Sequence, residues 1–432
     1  MEPISKKPTF REAFLFWLKL GFISFGGPSG QIAIMHEELV EKKKWISESR
    51  FLHALNYCML LPGPEAQQLA IYIGWILHRT WGGIAAGTLF VLPSAFILWI
   101  LSFVYVSYGN VEWVASIFYG LKPAVLAIVA SAVIRIGSKT LKNSVLGTLA
   151  GLAFIAIYFF KVPFPIIIAS AGFIGFIGGR FWREKFYVIS GHGTAGQIIA
   201  EINLTEPVKP SWMRATKICT VGLALWVAPI FLVIAFLGRE HTIFHEGIFF
   251  SKAAMVTFGG AYAVLPYVSQ QAVENYHWLS APQMLDGLGL AETTPGPLIM
   301  VLQFVGFLGG WNQPGNLSPL FAATLGAFIT TWTTFVPCFL WIFLGAPHIE
   351  QLRGNVKLST TLSAVTAAVV GVVFNLAVWF AQHVLYSAND GVDWFVLVVA
   401  TAAFLGILKW KWNIVAVVIG CGLLGLIYKS SF

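Results

Sequence analysis

Four short motifs rich in glycine and proline interrupt apolar segments of the chain. They are Ser24-Phe25-Gly26-Gly27-Pro28, Pro62-Gly63-Pro64, Thr257-Phe258-Gly259-Gly260 and Thr293-Thr294-Pro295-Gly296-Pro297. Proline removes an amide donor and glycine frees the backbone, so a helix ends at each motif and another begins. The first turn of the new helix has unpaired N–H groups that carry about half a positive charge. If the four ends meet at one place, they predict an anion-binding site built largely from backbone amides.

Polar side chains are concentrated beside these motifs. Ser24 and Thr257 are expected to cap the new helices, with their hydroxyls directed at a bound anion. Side-chain amides follow the first-half motifs at Gln31, Gln67 and Gln68. They are interpreted either as anion ligands or as hydrogen bonds between packed helices, and the sequence leaves both interpretations open.

Charged residues inside apolar segments are costly and therefore informative. Glu65 and Glu292 each adjoin a break, where a bare carboxylate would repel an anion, so each is expected to be protonated or paired. This predicts a role in proton coupling, with Lys122 as a candidate charge partner. Lys19 and Lys252 are expected either to attract the anion or to extend their ammonium groups to the membrane interface. The sequence shows no catalytic or metal-ligating constellation and no cofactor fingerprint, so a non-enzyme is predicted.

Composition indicates what kind of molecule holds these motifs. Hydrophobic residues make up 57% of the 432 positions and charged residues only 11%, whereas soluble domains have about 25% charged residues. The formal net charge of +8 comes from short basic loops, the usual cytoplasmic bias of membrane proteins, and not from a nucleic-acid-binding surface. We therefore expect an all-α polytopic membrane protein with the lipid bilayer as its surroundings.

The chain contains one unit twice. Phe16, Lys19, the Ser24 motif, Trp45 and Pro62-Gly63-Pro64 recur 233 positions later as Phe249, Lys252, the Thr257 motif, Trp278 and Pro295-Gly296-Pro297. The expected organisation is a first transmembrane repeat (1–180), a polar cytoplasmic connector (181–216), an extra inverting helix (217–240) and a second repeat (245–432). One additional crossing between two even-numbered repeats gives them opposite orientations in the membrane.

Apolar segments and basic loops together predict the topology. The segments are 12–35, 48–78, 82–107, 112–136, 144–160, 163–180, 218–238, 247–270, 281–309, 318–343, 356–382, 394–408 and 412–428. Lys42–Lys44 lie outside if the segment 12–35 spans the membrane, and inside if the segments 12–35 and 48–78 are re-entrant hairpins. Hairpins are favoured, because both segments contain helix breakers and cytoplasmic loops are basic. This gives nine spanning helices, with the loops around Asn110, Asn312 and Asp390 outside.

At these residues the sequence resembles the chromate ion transporter family in its long-chain, two-domain form. The matching blocks are SFGGPSGQIAIMHEELVEKKKW (24–45), LLPGPEAQQLAIYIGW (60–75), LKPAV (121–125), TFGGAYAVLP (257–266) and TTPGPL (293–298). The resemblance implies a bacterial plasma-membrane carrier that exports chromate and confers chromate resistance, with sulfate as a competing or alternative substrate. It also implies that His36 and Lys122 are functional positions, together with residues of the first three motifs and the glutamines. In the second half Ala261 replaces the counterpart of Pro28.

The mechanism that follows from these expectations is alternating access around an oxyanion held at the four breaks. The proton gradient would drive it, with Glu65 or Glu292 as proton carrier. Three alternatives stay open: an importer or exchanger of sulfate or another divalent oxyanion, a passive anion channel, and an intramembrane enzyme acting on phosphorylated lipids. A homodimer is compatible with the sequence, although no motif specifies one.

Overall fold

The computed structural model describes residues 8–25, 27–186, 211–258, 260–348, 356–387 and 391–431. Gly26, Gly259, Asp390 and the central part of the predicted connector lie outside the described residues. The α-helices are α1 (Phe10–Ile23), α2 (Gly27–His36), α3 (Glu48–Cys58), α4 (Glu65–Tyr108), α5 (Glu112–Thr140), α6 (Ser144–Tyr158), α7 (Phe164–Phe181), α8 (Arg183–Phe186), α9 (Trp212–Leu237), α10 (Thr242–Val256), α11 (Ala261–Gln270), α12 (Ala281–Thr293), α13 (Val301–Asn312), α14 (Pro319–Gly345), α15 (Val356–Leu385), α16 (Trp394–Lys409) and α17 (Ile414–Ser431). Two short strands, Tyr386–Ser387 and Gly391–Val392, pair antiparallel between α15 and α16. The predicted all-α class is confirmed.

Seven of the described helices are long and apolar enough to cross a membrane, namely α4, α5, α7, α9, α14, α15 and α17. Three shorter apolar helices accompany them, at Ser144–Tyr158, Leu298–Asn312 and Trp394–Lys409. The outward face of α9 is largely uncovered by protein, with Phe231 65% and Phe236 82% exposed, as expected of a helix that faces lipid. The polytopic membrane protein predicted from composition is confirmed.

Each sequence break ends one helix and starts another. The breaks lie between α1 and α2, α3 and α4, α10 and α11, and after α12, where a 3₁₀ turn (Leu298–Met300) leads into α13. Gly27, Gly63, Gly260 and Gly296 have φ values of +68°, +120°, +95° and +99°. Only glycine adopts such values at low cost, so these positions specify the breaks.

Helix α4 contains a bend where the first hairpin ends. His78 (φ −137°, ψ 30°) and Arg79 (φ 53°, ψ −146°) are non-helical and divide the 44 residues into two arms. The arms approach so closely at Gly74 and Gly82 that a Cβ on either would overlap the carbonyl oxygen of the other. The first arm, from Glu65 to the bend, is too short for a bilayer of about 30 Å. The predicted boundary between the segments 48–78 and 82–107 falls at this bend.

A turn with the same backbone geometry follows both glycine motifs. A short π-helix, Glu37–Lys42, follows α2, and another, Gln271–Asn275, follows α11. The Trp45 amide donates to the Leu39 carbonyl at 2.9 Å, and the Trp278 amide donates to the Ala272 carbonyl at 2.8 Å. Lys44 and His277, 233 positions apart, have φ values of 50° and 51°. The two halves thus repeat their local backbone, whereas their opposite orientation stays a prediction.

The halves are interlocked. Helix α5 packs against α16 and α17, α15 packs against α6 and α7, and α4 contacts α14. Glycines bring the backbones close: Gly120 lies against Cys421 and Gly425, and Gly175 lies against Thr361. Small residues are typical of such helix contacts in membranes. The interlocking places the four breaks in the interior between α4 and α14.

One predicted boundary differs from the structure. Helix α9 begins at Trp212, within the segment assigned to the connector, and α8 (Arg183–Phe186) also lies there. The first turns of α9 contain Arg214 and Lys217. In the sequence, these charged residues are typical of a loop rather than of a membrane helix. The Arg214 guanidinium lies 5.7 Å from the centre of the Trp75 ring, so the charge is accommodated against an aromatic side chain.

Candidate anion-binding site

Two backbone hydrogen bonds join the breaks across the halves. The Gly63 amide donates to the Thr257 carbonyl at 2.8 Å, and the Gly296 amide donates to the Ser24 carbonyl at 2.6 Å. Each bond connects the Pro-Gly-Pro motif of one half to the Ser/Thr-Phe-Gly-Gly motif of the other. Pro28 completes the cluster, because its Cγ lies 3.7 Å from where a Cβ on Gly260 would be. All four breaks therefore lie at one place.

Helices α4 and α14 both lie directly against the cluster. A Cβ on Gly63 would lie 2.8 Å from the Sγ of Cys338 on α14, and a Cβ on Gly296 would lie 2.6 Å from the Cβ of Ser94 on α4. Pro93 and Pro337, the prolines inside α4 and α14, directly precede these contact residues. Because Gly63 and Gly296 have no side chain, the breaks can lie in direct contact with the long helices.

Several buried polar atoms at the cluster have no partner among the described residues. Gln31 Nε2 donates to the Gly296 carbonyl and Gln68 Nε2 donates to the Pro62 carbonyl at 2.8 Å. The Oε1 atoms of both glutamines, and the hydroxyls of Ser24 and Ser94, are buried and unpartnered. An unpaired buried polar group costs about 1–3 kcal/mol, and such groups indicate water or an ion. The serine hydroxyls can rotate to donate to an anion.

The threonines at the breaks are already hydrogen-bonded. Thr257, Thr293 and Thr294 donate their hydroxyls to the carbonyls of Ala253 (2.7 Å), Leu290 (2.8 Å) and Ala291 (3.0 Å). Ser24 and Thr257 are the C-caps of α1 and α10, so the prediction that they cap the new helices is wrong. The new helices begin later, at Gly27 and at Ala261. A glycine with positive φ turns the chain at each start: Gly27 itself in the first case and Gly260 in the second.

The two candidate glutamates have different surroundings. Glu65 is the first residue of α4, where the helix dipole favours a negative charge, and it has no hydrogen-bond partner among the described residues. Glu292 Oε1 accepts a hydrogen bond from the Tyr262 hydroxyl at 2.6 Å. Arg135 on α5 interacts with both Tyr262 and Glu292. The sequence singled out Glu292 but did not indicate its partners Tyr262 and Arg135, because the three residues come from three different helices.

The predicted lysines lie away from the four breaks. Lys122 lies near Asp286 rather than near either glutamate. Lys19 and Lys252 lie on exposed faces of α1 and α10, which corresponds to the interfacial alternative in the sequence analysis. Asp286 itself was missed, because it lies outside the break motifs and the repeat does not mark it: the equivalent position in the first half is His53.

A charged cluster holds the turn after the first hairpin. His36 Nδ1 lies 3.2 Å from Glu41, His36 Nε2 contacts Glu48, and Lys42 lies 2.8 Å from Glu37 and 2.9 Å from Glu38. The hydrogen bond from Lys42 lowers the pKa of Glu38 below its ordinary value of 4.5. His36 therefore connects α2 to the start of α3 and does not reach the breaks.

Comparison with known proteins indicates the family of the chain. The family model described as Chromate transporter matches residues 11–176 and 244–426, so it covers both halves and omits the segment between them. A chromate transport protein of Cupriavidus metallidurans is 28% identical over 97% of this chain and 93% of its own length. One from Pseudomonas aeruginosa is 29% identical over 98% and 94%.

A shorter protein matches as well. An uncharacterized transporter of Bacillus subtilis is 28% identical over 36% of this chain and 77% of its own length. No solved structure matches. The family model covers most of the sequence, including all four break motifs, and the chain therefore belongs to the chromate transporter family.

Proposed function

We propose that the chain is a secondary active transporter that exports chromate from bacterial cells, with its anion site at the four helix breaks. The observation that supports this most strongly is the reciprocal pair of bonds, Gly63 to Thr257 and Gly296 to Ser24. They bring four helix ends and several unpartnered polar atoms into one buried place. The relatives named chromate transport proteins support the substrate.

In this proposal, the described conformation is one in which the breaks of the two halves are closed on each other. The amides of Gly63 and Gly296 bind carbonyl oxygens of the opposite half. These carbonyls occupy the donors that an oxyanion would use, so the anion must displace them. Local separation of the breaks of one half from those of the other parts amide from carbonyl and frees the donors to replace the water shell of the anion. Anion binding and opening of the interface are thereby coupled.

Two gradients favour export. A charge moved across a potential of 100 mV changes free energy by about 2.3 kcal/mol, so a dianion gains about 4.6 kcal/mol on leaving an inside-negative cell. The proton gradient adds to this if a proton enters as the anion leaves. Glu65 and Glu292 are the proposed proton carriers, because both adjoin a break and, within the described part of the chain, neither has a lysine or arginine at ion-pair distance. Arg135 acts on Glu292 only over a longer distance.

Flux into proteoliposomes containing the purified protein tests this function. With the potential clamped at zero, we expect an acidic lumen to drive chromate above its external concentration, and sulfate to compete. A passive channel would only equilibrate chromate, since no proton movement is coupled to it. Accumulation of sulfate without chromate transport would instead support the importer or exchanger of sulfate.

A further inference from the structure

A polar cavity of about 300 Å³ lies apart from the four breaks. It is lined by the end of α4, the first turns of α5, the start of α12 and the end of α13. Because α12 begins here and α13 ends here, the cavity opens at the mouth of the hairpin that carries the second Pro-Gly-Pro motif. The adjoining loops at Asn110 and Asn312 have no lysine or arginine, which predicts the outer face.

Two opposite charges face each other in this cavity without touching. Lys122 and Asp286 both line it, yet their charged atoms are too far apart for a direct ion pair. The Tyr105 hydroxyl donates to Asp286 Oδ2 at 2.9 Å, while Asp286 Oδ1 is buried without a partner. The Tyr119 hydroxyl is already bound to Asp393, at 2.7 Å. The cavity therefore offers one cation and one free carboxylate oxygen.

We propose that this cavity is an outward-facing antechamber that binds the transported oxyanion together with one proton. The anion places its negative oxygens against Lys122, and the proton lies between an anion oxygen and Asp286 Oδ1. No covalent bond to the central atom changes. The proposal rests on the proposed transport of a tetrahedral oxyanion, and it adds a second site to the transport path. The proton joins Asp286 from the outer side and leaves to the same side with the anion, so it does not cross the membrane and the proposed exchange of anion for proton is unchanged.

The charges around Asp286 support this pairing. Tyr105 faces it from α4 and Lys122 faces it from α5. Asp393 and Lys429 contact Tyr119, at the cavity wall. With Asp286 ionised, the two positive groups, Lys122 and Lys429, balance the two carboxylates, so a dianion gains little electrostatic free energy by binding. When Asp286 takes up a proton, one positive charge remains unbalanced and the anion is attracted, so anion and proton bind cooperatively.

An apolar contact separates the antechamber from the breaks. Asp286 and Glu292 are six residues apart on α12, a rise of about 9 Å along the helix. Between them, a Cβ on Gly289 would lie 3.3 Å from Leu121 Cβ and 3.4 Å from Val125 Cγ2, both on α5. Helices α5 and α12 must therefore separate for the anion to pass, as alternating access requires.

Titration calorimetry of the protein in lipid nanodiscs, with chromate and then sulfate, tests the antechamber. We expect Lys122→Gln to weaken oxyanion binding at least tenfold and Lys122→Arg to restore most of it. Asp286→Asn should bind as tightly as wild type or more tightly, and its affinity should no longer rise as the pH falls. The matched control is Lys161→Gln, the same charge change in an exposed loop outside this cavity, which should bind like wild type.

A second readout locates the bound anion. Trp311 lines the cavity, so chromate bound there should quench its emission. Trp311→Phe should remove the part of the quenching that comes from Trp311. In the wild-type protein, sulfate should displace chromate and restore the emission. Wild-type affinity in Lys122→Gln, or quenching unchanged by Trp311→Phe, would overturn the antechamber while leaving transport intact. Absence of both binding and flux in the wild-type protein would instead overturn the proposed function.

Discussion

Gly63 and Gly296 occupy equivalent positions in the two halves. Each has a positive φ, each donates its amide to the opposite half, and each lies directly against a long helix. No other residue type combines these three properties, because a side chain would strain the backbone and fill the contact. At this scale the site depends on the absence of side chains more than on their chemistry.

Gly63→Ala is therefore expected to lose transport and to destabilise the protein by about 1–3 kcal/mol, from strain at positive φ and from the contact with Cys338. The control is Gly147→Ala on α6, where an added Cβ has no atom within 4 Å. The control should be neutral or up to about 1 kcal/mol more stable, since alanine favours helix. Thermal unfolding in detergent and chromate flux measure both effects. Equal behaviour of the two variants would contradict the account of Gly63.

Glu65→Gln and Glu292→Gln test proton coupling. The amide cannot carry a proton, so we expect loss of accumulation driven by the pH gradient, with chromate–chromate exchange retained. Tyr262 can still bind the new amide oxygen at position 292, which limits structural damage. Glu240→Gln, at an exposed position between α9 and α10, is the matched control. Flux that stays fully sensitive to pH in both variants would exclude these residues as proton carriers.

Some residues of the candidate site could be predicted from the sequence and others could not. The break motifs were predictable, because glycine and proline act on their own backbone and the repeat marks them twice. Asp286, Ser94 and Tyr262 were not, because their roles come from contacts with helices distant in sequence. Lys122 was singled out, but no local pattern indicates that it lies near Asp286.

The hairpins are the elements that bring the breaks inward. Helices α1, α2, α3, α10, α11, α12 and α13 have 10 to 15 residues each, whereas a spanning helix needs about 20. These lengths are compatible with the predicted re-entrant hairpins, in which each helix would end within the bilayer, where an unsatisfied helix end is costly unless protein covers it. The enclosure by α4 and α14 meets this requirement. The sequence segments predicted the breaks and a boundary between 78 and 82, but not that only His78 and Arg79 are non-helical there and that the two arms of α4 pack against each other.

Thiol labelling tests the orientation of the hairpins. Glu41 and Glu274 occupy the same place in the turn after each glycine motif, 233 positions apart. With Cys219, the one native cysteine that is not buried, replaced by serine, we expect an impermeant maleimide to label Glu274→Cys in intact cells. Glu41→Cys should react only after permeabilisation. Labelling of both positions from the same side would contradict the inverted plan.

The whole molecule is two interlocked halves with the four breaks, the proposed anion site, between them. Since α5 packs on second-half helices and α15 on first-half helices, neither half can move as an independent body. In the proposed mechanism, motion instead separates α4 from α14 at the breaks and α5 from α12 at the antechamber. The membrane class and the repeat were predictable from composition and spacing, because both are one-dimensional signals. The interlocking was not, because it is a property of contacts between distant segments.

The most direct test of the account is the position of chromium in an anomalous-scattering map from crystals grown with chromate. We predict a peak placed so that the oxygens around the chromium lie within hydrogen-bond distance of the Gly63 and Gly296 amides, with the bonds of these amides to Thr257 and Ser24 opened. A second, weaker peak beside Lys122 is compatible with this. A fully occupied chromate elsewhere, with both reciprocal bonds intact, would contradict the claim that the four breaks form the transport site.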